Sequence, residues 1–247
     1  MENSSYLAEL KAKSTELAKN AVRNSVNADL FIINAINNVE ELQKSANTLT
    51  KRLREWYSLY FPELDKKISD NEGFVRVMLK EEKSKLMKEM GLTITMGADI
   101  GKADLEPIFS LAKAIEHLVA EKAELETYLE KAMNAHCPNI TFIAGAHIGA
   151  KLFREAGSLK RMAMMRSSTI QLLGAEKALF RHIRTGARPP KYGYLFQHKM
   201  VQKAKREDKG KVARALADKL FIAARLDYFK GDFQGDKLLH EVEVRFG

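Results

Sequence analysis

The chain of 247 residues holds a single cysteine, Cys137. One thiol excludes an intramolecular disulfide and fits a reducing, intracellular, cytoplasmic setting. No apolar run reaches the roughly 18 residues of a membrane span. The first residues, with Glu2 and Glu9 and no apolar segment, lack the pattern of a secretory signal. From Met1 to Phe61 there is neither glycine nor proline, which excludes frequent turns and favours long helix. No paired carboxylates, nucleophile–base set or cofactor loop stands out. Gly145-Ala146-His147-Ile148-Gly149-Ala150 has the look of a phosphate loop, but Ala150 and Lys151-Leu152 stand where Gly-Lys-Ser/Thr is needed. His136-Cys137 has no second cysteine to complete a tetrahedral metal site. The expectation is a protein with no catalytic residues, no cofactor and no metal.

What is present is charge, unevenly spread. Residues 1–137 hold 19 Lys+Arg against 22 Asp+Glu, and residues 138–247 hold 22 against 10, so the whole net charge of +9 comes from the second part. Such asymmetry points to a polyanion-binding C-terminal half on a near-neutral N-terminal half.

The helical pattern divides the chain. Leu7, Leu10, Leu17 and Ala21 lie on one heptad seam, and Val26 to Ile36 is apolar on more than one face. Leu53, Trp56, Tyr57 and Tyr60 close this region before Pro62, with Trp56 read as a core anchor. Residues 62–101 alternate short apolar pieces with charge and read as a cap of short helices. A second long helix is expected over roughly Lys102 to Ala135. In it Ile108, Leu111, Ile115, Leu118, Lys122, Leu125, Leu129 and Ala132 step by three and four without a slip. Two long helices and a connector predict an antiparallel coiled-coil hairpin. The seam of Ile108, Leu111, Ile115, Leu118, Leu125 and Leu129 is a candidate dimerisation surface, although it can also close within the chain; Lys122 is a candidate register device. His136-Cys137-Pro138-Asn139 breaks the helix, which sets the expected domains at 1–137 and 138–247. Small residues at 145, 146, 149 and 150 suit close helix packing, and His147 reads as a packed histidine.

The stretch Ser168 to Gln197 concentrates the chemistry. A short apolar run (Ile170, Leu172, Leu173) reaches Gly174, helical spacing resumes from Glu176 to Ile183, and Arg184 to Gly193 is a turn-rich basic loop with Pro189 and Pro190. A helix start offers unpaired N–H groups to anions, and guanidinium groups fork onto phosphates. Lys177, Arg181, Arg184, Arg188 and Lys191 suit phosphate, whereas Leu179, Phe180 and Tyr192 suit apolar or stacking contact. A solvated basic loop on a structural coiled-coil adaptor is the competing reading.

Gly174-Ala-Glu-Lys-Ala-Leu-Phe-Arg181, followed by Pro190-Lys-Tyr-Gly193 and Phe196-Gln197-His198, resembles archaeal Nop-domain proteins, the scaffold of box C/D small RNA–protein particles that guide ribose 2′-O-methylation. The resemblance extends to Ala35-Ile-Asn-Asn38, Arg52 to Tyr57 and Ala223 to Asp227, and so covers nearly the whole chain. It implies an all-α fold, a coiled-coil domain that forms a homodimer and a compact helical Nop domain. It implies a kink-turn guide RNA and its small ribosomal-type protein as partners, bound as one composite surface. Gly174, Ala175, Glu176 and Lys177 would contact the kink-turn complex, with Arg181, Arg184, Arg188, Lys191, Gln197 and His198 completing the interface. Ala178, Leu179 and Phe180 would abut the end of the guide–target duplex. Family members usually carry an N-terminal domain that recruits the methyltransferase fibrillarin. Here the coiled coil begins almost at Met1, so fibrillarin is expected to be met indirectly or not at all. The spliceosomal Nop-domain protein, which lacks the Glu-Lys-Ala-Leu-Phe continuation, is the near alternative.

Overall fold

The computed structural model describes residues 2–246, with the side chains of residues 6, 7 and 9–246. Among the described residues every regular element is helical. The glycine- and proline-free N-terminal stretch forms two helices, α1 (Glu2–Ser25) and α2 (Ala28–Tyr57). The break falls at Val26–Asn27, where the Asn27 side chain accepts the Leu30 N–H at 3.2 Å and caps the new helix. Then follow α3 (Pro62–Lys67), α4 (Asn71–Lys80), α5 (Lys83–Glu89) and the long α6 (Lys102–His136).

The chain divides into two compact units, residues 37–128 and residues 1–36 with 129–247. In the 37–128 unit, α2 and α6 run antiparallel: Tyr57 meets Phe109 edge-on at 6.5 Å, and Gln43 meets Lys122. Ala46, Leu53 and Tyr57 interleave with Ile108, Ala112 and Ile115, and Phe74, Val75 and Met78 of α4 close the core. The Lys122 ammonium donates to Gln43 Oε1 (2.8 Å) and Glu72 Oε1 (2.7 Å), so the one polar residue of the seam ties three helices in register. Arg54 does the same for the turn after α3. Its guanidinium donates to Asp65 Oδ1 and to the carbonyls of Ile68 and Asp70, and it lies over the Phe74 ring. Trp56, read as an anchor, is exposed; its neighbour Tyr57 takes the core position.

The seam assigned to dimerisation is occupied inside the chain. Ile108, Ile115 and Leu129 are each 1% exposed. Leu111 and Leu118 pack partly buried on the 37–128 core, and Leu125 is half-buried. Heptad spacing requires a partner helix, and α2 provides one, with Ala46 and Leu53 in the core of Ile108 and Ile115, and Ile32 and Ile36 in that of Leu129.

In the other unit, α7 (Pro138–Ala144), α8 (Ala146–Ala156), α9 (Leu159–Met164), α10 (Ser167–Leu172), α11 (Glu176–Thr185), a 3₁₀ turn (Tyr194–Gln197), α12 (Lys199–Lys203), α13 (Lys209–Tyr228) and α14 (Gly235–Phe246) follow one another. The centre is α13, whose Val212, Ala213, Leu216, Ala217, Leu220, Ala223 and Ala224 are buried. Apolar residues at such close spacing cover most of a helix circumference and require neighbours on several sides, which α7, α9, α10, α12 and α14 supply. The boundary expected at 137/138 does not separate the units. Ile32, Ala35 and Ile36 of α2 and Leu129, Met133 and Cys137 at the end of α6 share one core with α7 to α14. Asp29 fastens these ends, with Oδ1 on His136 Nε2 (2.6 Å) and Oδ2 accepting the Leu159 N–H (3.1 Å). Cys137 is buried, and burial pushes its thiol pKa up. Gly149 lies against Met133 and Ile140, whereas His147, read as packed, is exposed.

Candidate nucleic-acid interface

The base of the predicted site is a close junction. Gly174 leaves α10 at φ +87°, and a Cβ there would fall 2.6 Å from the Tyr194 ring. Only glycine meets both demands. The Tyr194 N–H donates to Leu173 O (2.8 Å) and the Gly193 N–H to Gln171 O (3.0 Å). This pairing is so close that a side chain at Gly193 would collide with the Leu173 carbonyl. The Tyr194 hydroxyl accepts from Arg154 Nη2 (2.8 Å) and donates to Glu155 Oε1 (3.1 Å). Lys151 Nζ donates to Gln197 Oε1 (3.2 Å). The segment that holds the start of α11 is thereby set against α8 through a tyrosine and three charged side chains, Lys151, Arg154 and Glu155. Glu176 turns its carboxylate back to accept the Gly174 N–H at 2.6 Å. That N–H is therefore not open to a phosphate, and the carboxylate occupies the favourable end of the helix dipole.

From this base α11 stands out with no buried residue. Lys177, Arg181 and Arg184, spaced i, i+4, i+7, share one face with Phe180. Phe180 is 64% and Ile183 69% exposed, while Ala178 and Leu179 are half-buried. The helix ends with His182 Nδ1 on the Ala187 carbonyl. Pro189 and Pro190 then stiffen the loop, and the Lys191 carbonyl accepts from Gln171 Nε2 at 2.6 Å. Lys177, Arg181, Arg184, Arg188 and Lys191 are all exposed, and none takes part in an ion pair among the described residues. The helix and loop thus present a row of free cations interrupted by apolar side chains.

His198 departs from the expected set. Its Nε2 lies 3.0 Å from the Ile143 carbonyl and its Nδ1 accepts the Met200 N–H at 3.3 Å, so both nitrogens are engaged inside the protein. Burial holds its pKa below the ordinary histidine value; the Ile143 carbonyl opposes that and Lys199 adds to it. It caps α12. Gln197 is exposed beside it. Sequence reasoning missed Ile183, and it missed that Tyr192, Phe196 and Lys209 come together; the four-residue spacing of the two rings was the available signal. Among the described residues no cluster of His, Cys, Asp and Glu could hold a metal, and no helix is long and apolar enough to cross a membrane.

The family model described as "snoRNA binding domain, fibrillarin", named Nop, matches residues 38–247. An uncharacterised NOP5 family protein of Methanocaldococcus jannaschii is 42% identical over 249 residues, covering 94% of this chain and 60% of its own length. Nucleolar protein 58 of Schizosaccharomyces pombe is 39% identical, covering 81% of this chain and 42% of its own. Nucleolar protein 56 of Bos taurus is 36% identical, covering 88% and 40%. The chain thus spans about half the length of the relatives it matches. The solved structure of a fibrillarin/Nop5p complex superposes with a TM-score of 0.59 at 24% identity, covering 98% of this chain and 78% of that one, which is a likeness of fold. A helical fold of this kind and a family match over most of the sequence lead to one conclusion: the chain belongs to the Nop family.

Proposed function

We propose that this chain is a non-catalytic scaffold of a box C/D RNA-guided 2′-O-methylation particle, binding a kink-turn RNA together with its small ribosomal-type protein. The observation that carries the reading is α11 with its loop: five exposed cations free of ion pairs, set around exposed Phe180 and Ile183 on a helix with nothing buried. Cations on phosphate position a protein without reading sequence, and electrostatics alone give affinities of only roughly 10⁻⁴–10⁻⁶ M at physiological salt. Apolar side chains beside them call for a second surface, which a small protein already seated on the RNA would supply. Because the fold neighbour is a Nop protein complexed with fibrillarin, a methyltransferase of that kind is the further partner to assay.

The test is a gel-shift series at several salt concentrations with kink-turn RNA alone, the small protein alone, and both. The combination should bind at least tenfold more tightly than either part. Changing Lys177 and Arg188 to Ala should weaken assembly and lower the salt slope by about one unit for each lost phosphate contact. Equal affinity for bare RNA and for the combination would reject composite recognition.

A further inference from the structure

The segment that locks α11 in place also carries an aromatic pair with no part in that lock. Tyr192 and Phe196 stack with ring centroids 4.9 Å apart and planes 13° from parallel. Both are held by their backbones. The Phe196 N–H donates to Gly193 O (3.0 Å), its carbonyl accepts from Gln202 Nε2 (2.7 Å), and the residue before Tyr192 is tied through its carbonyl to Gln171. Leu195 between them is fully buried and anchors the turn, which leaves Phe196 at the surface, 37% exposed. The Lys209 ammonium lies 5.1 Å from the Phe196 ring centroid and joins no ion pair among the described residues. Lys191 runs beside it, its Cδ 3.3 Å from where a Cβ on Gly210 would stand.

A surface ring stacked on a partly buried partner, with one ammonium over its face that an incoming base would displace and a second cation alongside, has the chemistry of a nucleotide subsite. Stacking on an aromatic face is open to any base, and the adjacent ammonium groups match the phosphates of the same nucleotide. In a duplex both faces of a base are already covered, so the ligand must be unpaired. We propose that Tyr192 and Phe196 form a stacking platform for an unpaired nucleobase of the bound RNA, with Lys209 and Lys191 on its flanking phosphates. The proposal rests on the RNA-binding reading above and adds a contact of a different kind, because stacking does not follow salt as phosphate contacts do.

The experiment places 2-aminopurine at each unpaired position of a kink-turn RNA in turn and titrates the full chain with the small protein bound. One position should be quenched on binding. Phe196→Leu keeps an apolar side chain but removes the π face. It should lose that quenching and weaken binding on the order of tenfold, the size of a single base–aromatic stack, at an unchanged salt slope. Phe196→Trp should keep both quenching and affinity. Lys209→Gln, which leaves the backbone of the turn untouched, should lower the salt slope by about one unit. Wild-type affinity and quenching in Phe196→Leu would overturn the platform while leaving the RNA-binding reading standing. Failure of the wild-type chain to bind the RNA at low salt would sink both.

Discussion

Gly174 carries two constraints at once: a left-handed backbone and the Tyr194 ring where a side chain would begin. Gly174→Ala should cost about 2 kcal/mol, part from backbone strain and part from the clash. In a Tyr194→Ala background the clash is gone, and the same change should cost only about 1 kcal/mol; urea unfolding of the four proteins measures the difference. Equal costs in both backgrounds would mean that the ring does not confine the junction. The glycine was legible in the sequence as the stop between two helical stretches. The tyrosine twenty residues on was not, because nothing local marks which ring will fill a space. His198 makes the same point. Its motif suggests a ligand contact, whereas its pKa is depressed by burial. Its neutral form thus adds stability above the ordinary histidine value, which is lost as pH falls through the folded value.

At the scale of elements, α7 shows how helices are joined by a carboxylate far away in sequence. The first N–H groups of α7 lack partners within the helix, and Cys137 makes no side-chain cap. Asp227, near the end of α13, accepts from Asn139 N (3.1 Å), Ile140 N (3.0 Å) and Asn139 Nδ2 (2.8 Å). Burial pushes its carboxyl pKa up, and these three bonds pull it back down. Asp227→Ala should leave three buried donors unpaired and cost about 3 kcal/mol, read as a lower urea midpoint at constant slope. A loss under about 0.5 kcal/mol would mean water replaces the carboxylate. The pairing of α2 with α6 was half legible. A seam stepping by three and four specifies that a partner exists, but periodicity is the same whether that partner belongs to the same chain or to a copy.

At the scale of the whole molecule, the basic excess of residues 138–247 and the free cations of α11 lie in the same part of the chain. The α6 seam packs within the chain, whereas among the described residues Leu7, Leu10 and Leu17 of the α1 heptad seam are exposed. An exposed heptad seam is satisfied by a second copy of itself. We propose that a second copy of the chain would pair through α1. Sedimentation should find a dimer for the wild type and a monomer for Leu10→Glu with Leu17→Glu. Dimers in both, or a monomeric wild type, would remove α1 from that role.

Much of this protein is determined by sequence alone. Periods of three and four residues specify helices, Pro62 and Pro138 mark where new ones start, and the count of lysine and arginine places the basic half. These are properties of neighbours along the chain, for which spacing and side-chain chemistry suffice. Only the tertiary structure decided that Leu129 and Ile140 share a core, that His198 bonds to the Ile143 carbonyl, and that Tyr192, Phe196 and Lys209 stack together. Those outcomes depend on which buried surfaces fit one another across long separations, and a linear pattern carries no measure of that fit.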